Sequence, residues 1–264
     1  RDTPILSGLI KSPRSRDSGN TTMHKSFAGG HITIGGSNSP ASLASRPIRL
    51  VMADEVDRYP LSAGTEGDPV TLARKRTTTF WNRKIILTST PTVKGVSRIE
   101  MEWEQSDQRR YHVPCPECKT KQTLKWANIQ WPENEPKKCH CVCEHCGSII
   151  EESSKPWMLK EGEWIATGIE GKTAGFHINE LYSPWRKWSE VVEDFLSAKR
   201  SPETLKAWVN TSLGETWEEE GETVEGDSLM SKREAYDLTA IPDDVLILTA
   251  GVDVQKDRIE VQVV

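Results

Sequence analysis

Ile48-Arg49-Leu50-Val51-Met52-Ala53-Asp54-Glu55 is a near-continuous apolar run that ends in two acids. Such a run fits a strand buried on both faces of a parallel sheet. Working outward, Pro69 to Trp81 reads as a basic helix after a turn, and Lys84-Ile85-Ile86-Leu87-Thr88 reads as a second buried strand ending in Ser89-Thr90-Pro91. Strand, helix, strand is the rhythm of an α/β sheet, so the expected class is α/β. Upstream, residues 11–47 are rich in Ser, Gly, Asn and Pro, and Ile32 and Ile34 alternate with polar residues. A short strand between turns is expected there.

The acids carry the first functional expectation. A nucleotide-hydrolysing sheet needs carboxylates at the carboxyl end of a buried strand: one to hold Mg²⁺ with ATP, the next to polarise the attacking water. Successive strand side chains point to opposite faces, so Asp54 and Glu55 can do different work at one strand end. The hydroxyls of Ser89 and Thr90 would sit at the neighbouring strand end, where they could sense the terminal phosphate. The plain alternative is that strands end at the surface and acids favour helix starts. A Gly-rich phosphate loop followed by Lys-Ser/Thr does not occur in the sequence. The chain opens on Arg1 rather than Met and closes inside the apolar-alternating run Ile259 to Val264. We therefore expect a piece of a longer parent, with the phosphate loop upstream.

The six cysteines, Cys115, Cys118, Cys139, Cys141, Cys143 and Cys146, all fall in one short stretch. Without a secretion signal, such clustering reads as metal binding before disulfides. Cys115-Pro116-Glu117-Cys118 and Cys143-Glu144-His145-Cys146 are two C-x₂-C knuckles with the ligand chemistry of tetrahedral Zn²⁺. Cys139-His140-Cys141 could replace one knuckle or simply lie in the approaching strand, as spare thiols on a hairpin. The ion would staple a module too small to hold itself together. A DNA contact through Lys119, Lys121, Lys125, Lys137 and Lys138 is the functional alternative.

Further along, Val191, Val192, Phe195 and Leu196, then Leu205, Trp208 and Val209, recur at helical spacing, with Pro202 near the start of a second helix. A strand is expected at Ala174–Ile178 and an acidic loop at 214–227. Val245 to Asp253, a turn at Gln255-Lys256-Asp257 and a returning run predict a hairpin. Asp253 stands at its strand end, as the first acid of a two-metal nuclease would. An acid at a hairpin bend is also common without that role. The ten Trp residues are assigned to packing.

Composition sets the outer limits. The 264 residues are 36% hydrophobic and 28% charged, with a net charge of -5. No run approaches the roughly 18 apolar residues of a membrane span. We expect a cytoplasmic protein with no membrane partner. Cations predominate in residues 1–50 and acids in residues 201–264. DNA contact on one part only is compatible with that imbalance.

The order of several short segments resembles one family. Gly35-Gly36-Ser37-Asn38-Ser39-Pro40-Ala41-Ser42-Leu43-Ala44-Ser45-Arg46-Pro47, running into Asp54-Glu55-Val56-Asp57-Arg58-Tyr59-Pro60, is similar to the large terminase subunit of tailed phages, of the lambda-like GpA family. Thr88-Ser89-Thr90-Pro91-Thr92 and Val209-Asn210-Thr211-Ser212-Leu213-Gly214-Glu215-Thr216-Trp217 fit the same family. The resemblance implies a partial P-loop (ASCE-type) ATPase sheet with an inserted zinc ribbon, a helical linker and the first hairpin of an RNase H-like nuclease. It places the later ATPase domain at 1–110, the ribbon at 111–152, a linking segment at 153–184, the helical linker at 185–240 and the nuclease start at 241–264. Asp54 would be the magnesium-side acid of Walker B, Glu55 the catalytic base, and Ser89 and Thr90 the coupling residues. Cys115, Cys118, Cys143 and Cys146 would hold zinc. Asp253 would bind a nuclease metal, Mg²⁺ or Mn²⁺. Implied partners are ATP, double-stranded DNA, a small terminase subunit, a portal protein and further copies in a motor, in the host cytoplasm. The competing reading is a non-catalytic zinc-ribbon module that binds nucleic acid or a protein partner.

Overall fold

The computed structural model describes residues 3–9, 20–44, 46–168, 171, 173–218, 247, 249–254 and 259–263. Two units are distinguished, Arg1–Glu219 and Glu220–Val264.

In the first unit, α1 (Pro4–Ser7) precedes an antiparallel hairpin of β1 (His24–Phe27) and β2 (Gly30–Thr33). Its two-residue turn uses Gly29 at a φ of 85°, which glycine adopts without a Cβ clash. After α2 (Pro40–Ala44) come β3 (Leu50–Asp54), α3 (Pro69–Lys75) and β4 (Lys84–Thr88). The two strands pair in parallel from Leu50↔Lys84 to Asp54↔Thr88. That is the expected strand–helix–strand unit.

Two expectations need correction here. The β3 run is not buried on both faces: Val51 and Ala53 are buried, whereas Leu50 is 42% and Met52 72% exposed. Strand alternation explains this, because one face meets Val56 and Val70 and the other meets no packed layer among the described residues. β4 is likewise only half-buried. The basic helix is also shorter than expected. Asp68 caps it by accepting from the Thr71 N–H at 2.7 Å. It stops at Lys75, and Thr77, Thr78 and Thr79 follow in turns. The Thr77 hydroxyl donates to the Arg74 carbonyl at 2.8 Å, and the Thr78 hydroxyl to that of Lys75 at 3.0 Å. Such local bonds compete with continuing the helix.

Next come α4 (Arg98–Glu104), β5 (Arg109–Pro114), β6 (Lys121–Gln122), β7 (Ile129–Gln130), β8 (His140–Val142) and β9 (Ile149–Ile150). They are followed by α5 (Lys155–Lys160), β10 (Glu163–Ala166), β11 (Phe176–His177), α6 (Trp188–Ala198) and α7 (Pro202–Trp208). β5 pairs antiparallel with β10 and β6 and parallel with β11, while β7, β8 and β9 form a second antiparallel sheet. Pro202 lies in the first turn of α7, where its missing N–H breaks no helical bond.

A single apolar cluster joins these parts. Val113, Leu124, Ile150, Met158, Leu181, Trp188, Val191 and Val192 are buried in it together with Cys139 and Cys141. Trp126 stacks against Trp131, Phe195 and Trp208 with centroids 4.7–5.5 Å apart. The packing role assigned to tryptophan holds for these residues. It fails for Trp81 and Trp185, which are exposed.

The second unit contains the antiparallel pair β12 (Ala250–Val254) and β13 (Ile259–Val263), with Asp253 opposite Glu260. Val245, Leu246, Leu248 and the turn Gln255-Lys256-Asp257 lie outside the described residues, as do 219–227 of the expected acidic loop. No helix among the described residues is long and apolar enough to cross a membrane.

Candidate functional site

The carboxyl ends of β3 and β4 form the first site. The parallel register puts Thr88 beside Asp54, and its hydroxyl donates to Asp54 Oδ1 at 2.6 Å. The Glu55 N–H donates to the same oxygen at 3.1 Å. Asp54 Oδ2 has no hydrogen-bond partner among the described residues and is open to a ligand. Glu55 adopts φ 54°, ψ 47°, a left-handed conformation uncommon for a side-chain-bearing residue. Strain of this kind clusters where geometry serves function. The bend takes the Glu55 carboxylate toward β4, where the Thr90 hydroxyl donates to Oε2 at 3.4 Å. Thus Asp54, Glu55 and Thr90 share one strand-end cluster. Ser89 lies one step away, accepting from the Asp57 N–H at 3.2 Å. Burial, with Asp54 close by, raises the Tyr59 phenol above its ordinary range.

Asp57 was not singled out from the sequence, yet it joins three segments. It accepts from the Thr92 hydroxyl at 3.0 Å and from the Ile99 N–H at 2.7 Å. Arg98 closes the arrangement, donating to the Val56 carbonyl at 2.6 Å and pairing with Asp68 at 2.9 Å. The loop after β4 then reaches the helical region. Buried Asn210 donates from Nδ2 to the carbonyls of Thr92 and Glu215, each at 2.8 Å. The Trp217 N–H donates to the Thr92 carbonyl at 2.8 Å, and the Lys94 N–H to that of Trp217 at 3.0 Å. Asn210 lies in a π-helical turn, Val209–Leu213, which Gly214 ends at φ 64°. Such turns recur at functional positions. Nothing in the local sequence links Asp54 to Thr88; the strand register does.

The cysteine cluster is the second site. Both knuckles have the same backbone. The Cys115 N–H donates to Thr120 O at 3.0 Å and the Lys119 N–H to Cys115 O at 3.1 Å. Correspondingly, Cys143 N–H donates to Ser148 O at 2.9 Å and Gly147 N–H to Cys143 O at 3.0 Å. Lys119 and Gly147 both take positive φ, 62° and 70°, to complete the turns. The Sγ atoms of Cys115, Cys118, Cys143 and Cys146 lie within 4.8 Å of one another. The Cys115–Cys146 and Cys118–Cys143 sulfur pairs are each 3.9 Å apart. A tetrahedral ion with roughly 2.3 Å metal–sulfur bonds requires sulfurs about 3.8 Å apart, so the set fits a metal ion.

Cys139 and Cys141 take another part. They point into the apolar cluster, and burial pushes their thiols up to about 11 and about 12. His140 and His145 are not members of the four-sulfur group. Three of the five ribbon lysines face carboxylates: Lys121 meets Glu163 of β10 at 2.5 Å, Lys125 meets Glu144 at 2.6 Å and Lys138 meets Glu135 at 2.8 Å. Lys119 donates to the Pro116 carbonyl and lies 5.0 Å over the Trp157 ring.

Asp253 is within β12, one residue before its end, opposite Glu260. It belongs to the second unit.

Comparison with known proteins supplies the identity. The family described as phage terminase large subunit gpA, ATPase domain, matches residues 1–164. That described as terminase large subunit gpA, endonuclease domain, matches residues 173–264, a span that includes α6 and α7. The terminase large subunits of Enterobacteria phage P21 and Escherichia phage lambda are 32% and 30% identical to the chain over its entire length. The chain spans 45% of each of those relatives. No solved structure matches. With the ATPase-domain match covering more than half of the chain and two relatives aligned along all of it, the protein belongs to the phage terminase large subunit gpA family.

Proposed function

We propose that the protein acts in viral DNA packaging, using ATP hydrolysis to drive DNA into a procapsid and a separate endonuclease to cut concatemeric DNA. The observation that carries the ATPase half is the strand-end cluster: Asp54 fixed by the Thr88 hydroxyl, with Glu55 bent toward Thr90. Asp54 would hold Mg²⁺ through its unpartnered oxygen, a hard ligand suited to that ion. The ion with its nucleotide would supply charge neutralisation at the transferring phosphate. Glu55 orients and deprotonates the attacking water. Ser89 and Thr90 couple hydrolysis to DNA movement, Thr90 through its bond to the Glu55 carboxylate, and the following loop communicates with the linker through Thr92 and Asn210.

The four thiolates hold a structural Zn²⁺, which an S₄ donor set favours. Asp253 contributes to a nuclease site that uses Mg²⁺ or Mn²⁺ and further carboxylates. A P-loop sheet and an RNase H-like fold for the two domains are part of this reading. So are a small terminase subunit, a portal protein and further copies as partners, and the host cytoplasm as the place of work. The match of the whole chain to terminase large subunits favours this over a non-catalytic ribbon module.

The test uses the full-length protein. Glu55→Gln should lower ATP turnover at least about a hundredfold while nucleotide binding survives, as loss of a general base predicts. Asp253→Ala should abolish DNA cutting and leave ATP turnover near wild type. Normal turnover in the Glu55 variant removes it from catalysis; normal cutting by the Asp253 variant removes the nuclease assignment.

A further inference from the structure

The amino ends of β3 and β4 carry a feature that the strand-end chemistry does not use. Residues 30–53 and 69–99 contain no Asp or Glu. The cations in those segments are drawn together by backbone pairing. The Lys84 N–H donates to the Arg49 carbonyl at 3.0 Å, and the Ile48 N–H to the Arg76 carbonyl at 3.0 Å. Arg46 and Arg49 thus lie just before β3, Arg83 and Lys84 at the start of β4 and Lys75 at the end of α3, all near these two backbone links. All five are exposed. None of the five forms an ion pair among the described residues. Arg74, their neighbour, is the one drawn away, to Glu102 at 2.7 Å. At the tip of the connecting turn Trp81 is 93% exposed.

Like charges gathered without counter-ions repel one another unless an anion is shared among them. A solvated face relieves that repulsion with mobile salt, but a polyanion relieves it by releasing its own condensed counter-ions. An exposed Trp beside cations adds an amphipathic surface of the kind used at interfaces. Three of the ribbon lysines, by contrast, each face a carboxylate. The five residues of β3 separate its amino end from the Asp54 backbone by about 13 Å, so the patch lies at the opposite end of the same two strands from the acids.

We propose that Arg46, Arg49, Lys75, Arg83 and Lys84, with Trp81, form a docking surface for the phosphate backbone of double-stranded DNA. This rests on the packaging function proposed above and names the face of the ATPase domain that meets its DNA. The surface reads charge and not sequence, because its cations meet phosphates as point charges.

The experiment measures binding of a labelled duplex to the full-length protein over a series of salt concentrations. The triple variant Arg49→Ala, Arg83→Ala, Lys84→Ala should bind at least about tenfold more weakly at about 0.1 M salt. Its log–log salt slope should be shallower by about two to three, at roughly 0.9 for each phosphate no longer neutralised. Trp81→Ala should weaken binding with the slope unchanged. Lys125→Ala with Lys138→Ala should change neither quantity. Basal ATP turnover without DNA should stay at the wild-type level in all of them. If the triple variant misfolds, acetylation footprinting of the unaltered protein decides: DNA should protect Lys75 and Lys84 and not Lys137. An unchanged slope, or absent protection in a protein that binds DNA, overturns the surface and leaves the packaging function standing. An active ATPase that binds no duplex overturns both. Protection that follows protein concentration without DNA also overturns the proposal and identifies the face as an interface between copies.

Discussion

The ribbon and the β3–β4 pair contain the same kinds of residue in opposite circumstances. In the ribbon, apolar side chains meet one another across β5, β8, α5 and α6, and lysines meet carboxylates. In the strand pair, one apolar face is bare, Glu55 is strained, and the cations at the far end have no ion-pair partners among the described residues. A region whose groups are satisfied internally is built to be stable. Of the ribbon lysines that read as a nucleic-acid patch in sequence, Lys121, Lys125 and Lys138 face carboxylates in space.

The comparison is broken most forcefully through the metal. Structural zinc contributes on the order of 10–16 kcal/mol to small modules that fold around it. The purified protein should contain about one Zn²⁺ per chain, and Cys115→Ser or Cys146→Ser should lose it along with ribbon structure. Cys139→Ser should keep its zinc, because its thiol lies in the apolar cluster. Metal analysis of the three variants checks this, and full zinc in the Cys115 variant would show the ligand set to be wrong.

Apolar truncation sharpens the same contrast at a smaller scale. Trp188 is fully buried and its indole N–H donates to Leu181 O at 3.0 Å. Trp188→Ala should destabilise the protein by about 3–5 kcal/mol. Met52→Ala should stay within about 0.5 kcal/mol, since most of that side chain meets solvent. Urea unfolding followed by far-UV circular dichroism compares them. Equal losses would mean that the bare face of β3 is covered in solution.

The smallest effect tests how the helical region is held. Burial, reinforced by the Arg110 guanidinium, keeps His177 below its ordinary value of 6.5. Its Nε2 lies 3.1 Å from Gly214 O at the end of the π-helical turn. An unfolded chain takes up this proton first as pH falls. The stability due to neutral His177 is therefore complete above about pH 6.5 and declines as pH drops below it, through the lower folded value. His177→Gln should flatten that part of the stability-against-pH curve. A variant whose acid sensitivity matches wild type would assign the decline to other groups.

Much of the site could be read directly. Two C-x₂-C knuckles announce themselves because metal geometry dictates local spacing, and an apolar run ending in Asp54-Glu55 marks a strand end. Asp57, Arg98 and Asn210 could not be found that way. Each is an ordinary polar residue whose partners lie far along the chain: Ile99 for Asp57, Val56 for Arg98 and Thr92 for Asn210. The exposure of Leu50 and Met52 was equally hidden, since apolar composition does not say which neighbours arrive.

The sequence alone determined what depends on local chemistry and periodicity: the α/β rhythm, the knuckles and the strand-end acids. Order of motifs was enough to indicate the family. Only the tertiary structure decided the parallel register that sets Thr88 against Asp54, and which lysines meet carboxylates. Those are matters of long-range pairing, in which a side chain's electrostatic fate is set by residues brought beside it after the chain has turned back on itself.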